Sequence, residues 1–141
     1  MKERIGRPRV LLADDAPQIL HQVDRLLGTS FEIVGIAQNG EQAVQLATTL
    51  RPDILILDIS MPILSGIEVA SQMRQFGLNP RIVFLTCHED PDYISAAFSQ
   101  GALGYVFKYH IARDLIPAIK AALQGDKFVS QIPAHASILE S

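Results

Sequence analysis

The chain has 141 residues, of which 48% are hydrophobic and 19% charged, and its formal net charge is −3. This length suits a single domain with its own core, and the composition excludes a disordered or disulfide-built chain. The acidic balance argues against direct nucleic-acid contact by this chain, because such contact requires a basic surface. The longest apolar runs are too short to cross a bilayer, so no membrane contact is expected.

The N-terminal residues and the cysteine content favour a cytoplasmic location. Residues 1–9 are charged and lack the apolar segment of a secretory signal peptide. The single cysteine, Cys87, cannot form a disulfide within the chain. We therefore expect a reducing, cytoplasmic environment.

Short apolar runs alternate with longer amphipathic stretches along the chain. This alternation is typical of an α/β fold, a doubly wound parallel sheet with helices on both faces. Five strand–helix units are predicted, with strands at residues 10–13, 31–37, 54–57, 81–85 and 104–107.

In the first half of the chain, apolar residues recur at helical spacing over residues 19–27. The second strand is expected nearest an edge of the sheet, and the helix at 41–50 is ended by Arg51 and Pro52. The third strand, ILIL at 54–57, is continuously apolar and is predicted to be central and covered on both faces.

In the second half, the third helix is predicted to begin near Ser65. Asp90 and Pro91 have the character of an N-cap followed by a first helical position. The last helix should be capped by Gly125, and Pro117 within it predicts either a later helix start or a local kink.

The chain divides into three predicted parts. Residues 1–8 are expected to form an N-terminal extension and residues 9–126 the domain. Residues 127–141 are expected to be a C-terminal tail or linker stub, because their end shows no clear periodicity.

Polar side chains follow four of the five predicted strands, at the sheet edge where α/β folds bind ligands. Asp14 and Asp15 follow the first strand, Asp58 the third, Thr86 ends the fourth, and Lys108 follows the fifth. Each alone has a structural explanation, such as a helix cap or a turn. Their coincidence at one edge indicates a functional site.

The composition of this site indicates phosphoryl chemistry with Mg²⁺. Three neighbouring carboxylates repel one another without a cation, and Mg²⁺ prefers carboxylate and phosphate oxygens. Zinc is not expected, because the cysteine and the histidines lack ligand spacing. Asp58 is the best nucleophile because it follows the most apolar strand, with Lys108 as counter-charge and Thr86 as hydroxyl donor.

The chain resembles the receiver domain of two-component response regulators over residues 10–124. The resemblance rests on LLADD at 11–15, ILDISMP at 56–62 with Gly66, VFLT at 83–86, and GA at 101–102 leading to GYVFK at 104–108. It implies a flavodoxin-like sheet with strand order 2-1-3-4-5. LLADD and TCHED at 86–90 are similar to the NarL/FixJ branch, whose receivers usually precede a helix-turn-helix DNA-binding domain.

The resemblance implies that Asp58 accepts a phosphoryl group from a histidine kinase or phosphotransfer protein. The chain would then be a signalling phosphoprotein, catalysing only its own phosphorylation and dephosphorylation. Asp15, Asp58 and the Ser60 carbonyl would hold Mg²⁺, with Asp14 acting mainly through water. Lys108 would contact the phosphoryl group.

The resemblance also implies a switch, in which the Thr86 hydroxyl moves toward the phosphoryl group and the Tyr105 ring follows it inward. The face made by the fourth helix, fifth strand and fifth helix would change shape and meet a partner, an output domain or a second copy of the chain. Many family members have proline after the lysine, whereas Tyr109 follows Lys108 here. A trans bond is expected at this position, because a non-proline cis bond costs about 2.5–4 kcal/mol.

Two other functions compete with this interpretation. An aspartyl-phosphate phosphohydrolase of the haloacid-dehalogenase type has its nucleophile after the first strand and a second Asp two residues on, whereas Asp58 follows the third strand and Ser60 lies two beyond. An unphosphorylated pseudo-receiver is disfavoured because all five site positions match. A nucleotide-binding domain would require a glycine-rich loop after the first strand, where Asp14 and Asp15 stand.

Overall fold

The computed structural model describes residues 6–131, which form one sheet flanked by helices. The strands are β1 (Arg9–Ala13), β2 (Glu32–Ala37), β3 (Ile54–Leu57), β4 (Arg81–Thr86), β5 (Gly104–Phe107) and β6 (Phe128–Val129). The helices are α1 (Pro17–Leu27), α2 (Gly40–Leu50), α3 (Gly66–Gln75), α4 (Pro91–Ser99) and α5 (Ile111–Leu123), with a 3-10 turn at Lys108–His110. All paired strands run parallel, in the order β2-β1-β3-β4-β5-β6.

The sheet has six strands, so the expected number of five is wrong. The sixth, β6, pairs with β5 and lies within the stretch 127–141 that was expected to be a tail or linker stub. Two residues are too few to show periodicity, and β6 is placed instead by backbone bonds from Phe128 N to Leu103 O and from Ser130 N to Tyr105 O. Residues 1–5 and 132–141 lie outside the described part of the chain, and the domain boundaries stay a prediction.

Side chains of the strands alternate between two apolar layers, which confirms helices on both faces. Leu55 and Leu57 pack in one core cluster with α2, α3 and α4, whereas Ile54 and Ile56 pack in the other with α1 and α5. All four are completely buried. The positions predicted for β2 at the edge and β3 in the interior of the sheet are confirmed.

The predicted helix caps are confirmed in α4 and α5. Asp90 accepts a backbone N–H bond as the N-cap of α4, and Pro91 is the first helical residue. After α5, Gly125 has a φ of 82° and donates to Ala122 O, while Asp126 N donates to Ala121 O. This pair of bonds is the Schellman arrangement, which favours glycine at the left-handed position.

Of the two alternatives for Pro117, the later helix start is wrong. The α5 helix begins at Ile111, directly after the 3-10 turn, and therefore contains Pro117. Between residues 6 and 131 no cis peptide bond occurs, so the trans bond predicted after Lys108 is confirmed. Within the same range, none of the helices is both long and apolar enough to span a bilayer.

Asp114 of α5 is buried and ties this helix to the residues around β6. Its carboxylate accepts hydrogen bonds from Arg113 Nε at 2.8 Å and from Ser130 Oγ at 2.7 Å. The Arg113 bond, together with that from Ser130, outweighs burial and lowers the pKa of Asp114 below its usual value of 3.8.

We predict that the effect of Asp114→Asn on stability depends on pH. When the pKa of a carboxylate is lower in the folded state than in the unfolded state, its charged form stabilises the fold. This stabilisation is complete at pH values above the unfolded-state pKa and is lost as the pH falls through the folded-state pKa. The variant should therefore be less stable than wild type at neutral pH, and the difference should shrink below pH 3.8. Urea unfolding across this range measures it, and a difference that stays constant would contradict the assignment.

Candidate functional site

The backbone holds two of the acidic residues in line with the sheet. Asp14 N donates to Ala37 O at 3.0 Å, and Asp58 N donates to Ala13 O at 3.0 Å. Both bonds continue the parallel ladders one residue beyond β1 and β3. The two carboxylates are therefore placed by strands with fully buried interiors rather than by free loops.

The structure brings together the three predicted carboxylates and the predicted lysine. Asp14, Asp15 and Asp58 each offer an oxygen within 4.8 Å of the others, with Asp14 and Asp58 buried and Asp15 exposed. The Lys108 ammonium lies 2.9 Å from Asp14 Oδ2 and 3.0 Å from Asp58 Oδ2. One cation thus bridges the two buried acids.

Burial and pairing act against each other at this cluster. Burial, together with repulsion from Asp58, raises the pKa of Asp14 despite the opposing contributions of Lys108 and the Ala16 N–H. Burial by itself lowers the pKa of Lys108, but its contacts with Asp14 and Asp58 outweigh this and raise it. The lysine is therefore charged at neutral pH. Its charge offsets only part of the cost of burying the Asp14 carboxylate.

The donor set fits a divalent cation that prefers oxygen. Asp14 Oδ2 is buried, and among residues 6–131 no donor reaches it with hydrogen-bond geometry, although Lys108 is near. Such an oxygen has lone pairs available for an ion or its bound water. The exposed Asp15 carboxylate gives the cluster an open side.

Gly66 allows α3 to begin directly against the end of β3. Its N–H donates to Ile59 O at 2.8 Å, and a Cβ at this position would collide with the carbonyl oxygen of Asp58. Ser65 completes the helix start as an N-cap with a reciprocal bond to Glu68. The predicted helix start near Ser65 is confirmed, and the glycine fixes the backbone next to Asp58.

Thr86 and Tyr105 both contact the backbone of His88. The Thr86 hydroxyl accepts a long bond from His88 N at 3.4 Å, and the Tyr105 hydroxyl donates to His88 O at 2.7 Å. Both side chains are completely buried. Burial raises the pKa of Tyr105, which keeps its hydroxyl a donor.

His88, within the TCHED stretch at 86–90, contacts this site although it is not among the predicted site residues. Its Nε2 lies 2.6 Å from Ser60 Oγ, and its ring contacts that of Tyr93 of α4 in a tilted arrangement with centroids 4.3 Å apart. Its ring therefore links the loop after β3 to the start of α4, and its backbone contacts Thr86 and Tyr105. The sequence feature that could have indicated His88 as a site residue is its position two residues after Thr86, the last residue of β4.

Comparison with known proteins assigns the chain and its fold to one family. Residues 10–120 match the family model described as the response regulator receiver domain. A two-component response regulator of the LuxR family from an Aurantimonas species has a structure with a TM-score of 0.83 and 31% identity, covering 96% of this chain and 97% of its own. The signal receiver domain of a NarL response regulator from Mycobacterium tuberculosis has a TM-score of 0.80 and 30% identity, covering 85% and 98%.

Curated relatives are longer proteins. The nitrate/nitrite response regulator protein NarL of Escherichia coli is 35% identical over 86% of this chain and 57% of its own length. The transcriptional regulatory protein DegU of Brevibacillus brevis is 30% identical over 99% of this chain and 61% of its own. This chain thus spans about three fifths of these relatives.

The chain belongs to the response regulator receiver domain family. It is a receiver domain of the two-component kind, and its relatives include NarL- and LuxR-type response regulators. The predicted family is confirmed. Receiver domains are signalling domains rather than enzymes in the usual sense, so the phosphohydrolase alternative is not favoured.

We predict that Lys108→Met destabilises the domain by on the order of 2–4 kcal/mol, because two buried carboxylates lose their shared counter-charge. Adding Asp14→Asn should restore part of the loss. Lys120→Met, which removes an exposed lysine of α5, is the matched control and should change stability little. Urea unfolding compares the variants, and equal losses for the two lysines would contradict the bridging role.

Proposed function

We propose that Asp58 is the phosphoacceptor and that the donor is a phosphohistidine of a histidine kinase or phosphotransfer protein. The observation that carries this proposal is the position of Asp58. It is a buried carboxylate at the end of β3, with its Oδ2 3.0 Å from the Lys108 ammonium and a further two carboxylates beside it. Such a group is rigidly placed, and a cation is ready to receive new negative charge.

The residues of this chain account for the transfer of the phosphoryl group. A carboxylate oxygen of Asp58 forms a bond to phosphorus while the bond to the donor nitrogen breaks, and the electron pair stays on the donor imidazole. Lys108 neutralises charge on the phosphoryl oxygens. The Thr86 hydroxyl, which accepts a long bond from His88 N, is able to turn and donate to one of those oxygens.

The metal in this proposal is Mg²⁺, held by Asp15, Asp58 and the Ser60 carbonyl, with Asp14 acting through water. Its contribution when bound is to neutralise the phosphoryl oxygens as the Asp58 oxygen approaches. The contact of Ser60 Oγ with His88 Nε2 does not compete with this role, because it uses the side chain rather than the carbonyl.

The switch in this proposal acts through His88. If the Thr86 hydroxyl turns to the phosphoryl group, His88 N loses its contact, while Tyr105 still holds His88 O from inside the domain. The backbone of His88 is then held by one hydrogen bond instead of two. The output face, made of α4, β5 and α5, is where we place contacts with a partner, an output domain or a second copy.

The full-length protein in this proposal is a cytoplasmic transcription regulator with a DNA-binding output domain. Its support is the relatives, among which are a transcriptional regulatory protein and a DNA-binding response regulator of the LuxR family from Staphylococcus aureus. The domain would catalyse only its own phosphorylation and dephosphorylation.

We predict that Asp58→Asn abolishes phosphorylation by acetyl phosphate, because an amide is a far poorer nucleophile than a carboxylate. Intact-mass measurement after incubation with acetyl phosphate and Mg²⁺ should show one added phosphoryl group on wild type and none on the variant. Asp24→Asn, at an exposed position of α1, is the control and should behave as wild type. Equal incorporation in Asp58→Asn would move the acceptor to Asp14 or Asp15, and no incorporation in wild type would favour a pseudo-receiver.

We predict that Mg²⁺ binds with millimolar affinity and that Asp15→Ala weakens this binding strongly, because the exposed carboxylate is a direct ligand in the proposed site. Titration calorimetry on wild type, Asp15→Ala and the control Asp24→Ala measures the three affinities. Equal affinity in all of them would place the ion elsewhere.

A further inference from the structure

The strand β6 covers the outer edge of β5, in the middle of the proposed output face. Phe128 N donates to Leu103 O at 2.9 Å, and Ser130 N donates to Tyr105 O at 2.8 Å. The Lys127 ammonium lies 5.7 Å from the centre of the Phe98 ring of α4, and Phe128 packs against the core layer of α5. Residues 127–130 therefore contact all three elements of that face.

Ser130 is the residue that fastens β6 to two different elements. Its buried hydroxyl accepts a bond from Phe107 N of β5 at 3.2 Å and donates to Asp114 Oδ2 of α5 at 2.7 Å. The two bonds can coexist only while β5 and α5 keep their present relative position. A shift of Phe107 by about 0.5 Å away from Ser130 would take the longer bond beyond the hydrogen-bond range.

Losing either bond weakens the attachment of β6, because a buried donor or acceptor is then left without a partner. Phe107 immediately precedes Lys108, whose ammonium already contacts the proposed phosphoacceptor. A phosphoryl group on Asp58 adds about 1.5 to 2 negative charges at the tip of this lysine. The end of β5 is thus the part of the strand on which the new charge acts most directly.

We propose that β6 is a latch, a short strand that Ser130 fastens to β5 and α5 and that is released when Asp58 is phosphorylated. The proposal rests on the proposed function of Asp58. Release uncovers the edge of β5 and frees residues 127–131 from it. The output face would then change by losing a strand as well as by local rearrangement.

Amide hydrogen exchange on the full chain, with and without beryllofluoride and Mg²⁺ as a phosphoryl analogue, tests the latch. We expect protection of the Phe128 and Ser130 amides to fall by about tenfold when the analogue binds. The Glu32 amide, which donates to Pro8 O at the opposite edge of the sheet, is the internal control and should be unchanged. Fluorine NMR shows separately whether beryllofluoride is bound.

The outcomes separate the latch from the function on which it rests. Bound analogue with full protection at Phe128 and Ser130 would overturn the latch and leave the phosphoacceptor site intact, whereas failure of the analogue to bind would overturn both.

Ser130→Ala supplies a second test of the same idea. It should bind beryllofluoride as wild type does but show reduced protection at Phe128 even without the analogue, while Gln131→Ala, at the exposed neighbouring position, should keep wild-type protection. Wild-type protection at Phe128 in Ser130→Ala would mean that the hydroxyl does not fasten the strand, and the latch would be wrong.

Discussion

The contact of one lysine with two buried carboxylates is the interaction on which the rest of this domain depends. Lys108 lies within 3.0 Å of both Asp14 and Asp58, at the point where β1, β3 and β5 end. Without this ammonium, the sheet would present two adjacent, poorly hydrated anions at its carboxyl edge. In the proposed function, the charge that stabilises the two buried carboxylates is also the charge that an incoming phosphoryl group meets, so that stability and function share one side chain.

This arrangement explains why the surrounding structure is so tightly constrained. The ladder bonds at Asp14 N and Asp58 N hold two carboxylates in register, and Gly66 lets α3 begin against the Asp58 carbonyl. The strand that carries Asp58 is covered on both faces, so little movement is open to its end. The loop around His88 and the far edge at β6 are held by a few hydrogen bonds each, and the proposed movements lie in these two regions.

The sequence predicted the parts of the fold that rest on repeated patterns. The ILIL run of β3 and the alternation of short and long apolar segments predicted the buried sheet and its helices, and the polar residues after four of the strands indicated the site. Asp90 with Pro91 and Gly125 marked helix ends through the chemistry of caps. These features depend on local sequence, so they are readable without knowledge of long-range contacts.

Features that depend on long-range contacts were beyond that reasoning. β6 is too short to have a period, and only its bonds to Leu103 and Tyr105 reveal it. His88 has its place through contacts with Ser60 and Tyr93, which come together only in the folded chain. The buried ring of Tyr105 likewise follows from packing, since the sequence shows an aromatic residue in a strand but not the side on which it rests.

The aromatic contacts around His88 and β5 determine what the tyrosine spectra of this chain report. The chain has three tyrosines and no tryptophan, and all three lie around the same part of the molecule. The Tyr93 ring lies against that of His88 in a tilted arrangement, the Tyr105 hydroxyl donates to the His88 carbonyl, and the Tyr109 ring stacks on Phe107 with ring centres 5.4 Å apart. The near-ultraviolet absorbance, emission and circular dichroism of tyrosine in this chain therefore come from one region, so an unlabelled sample carries its own spectroscopic probe of that region.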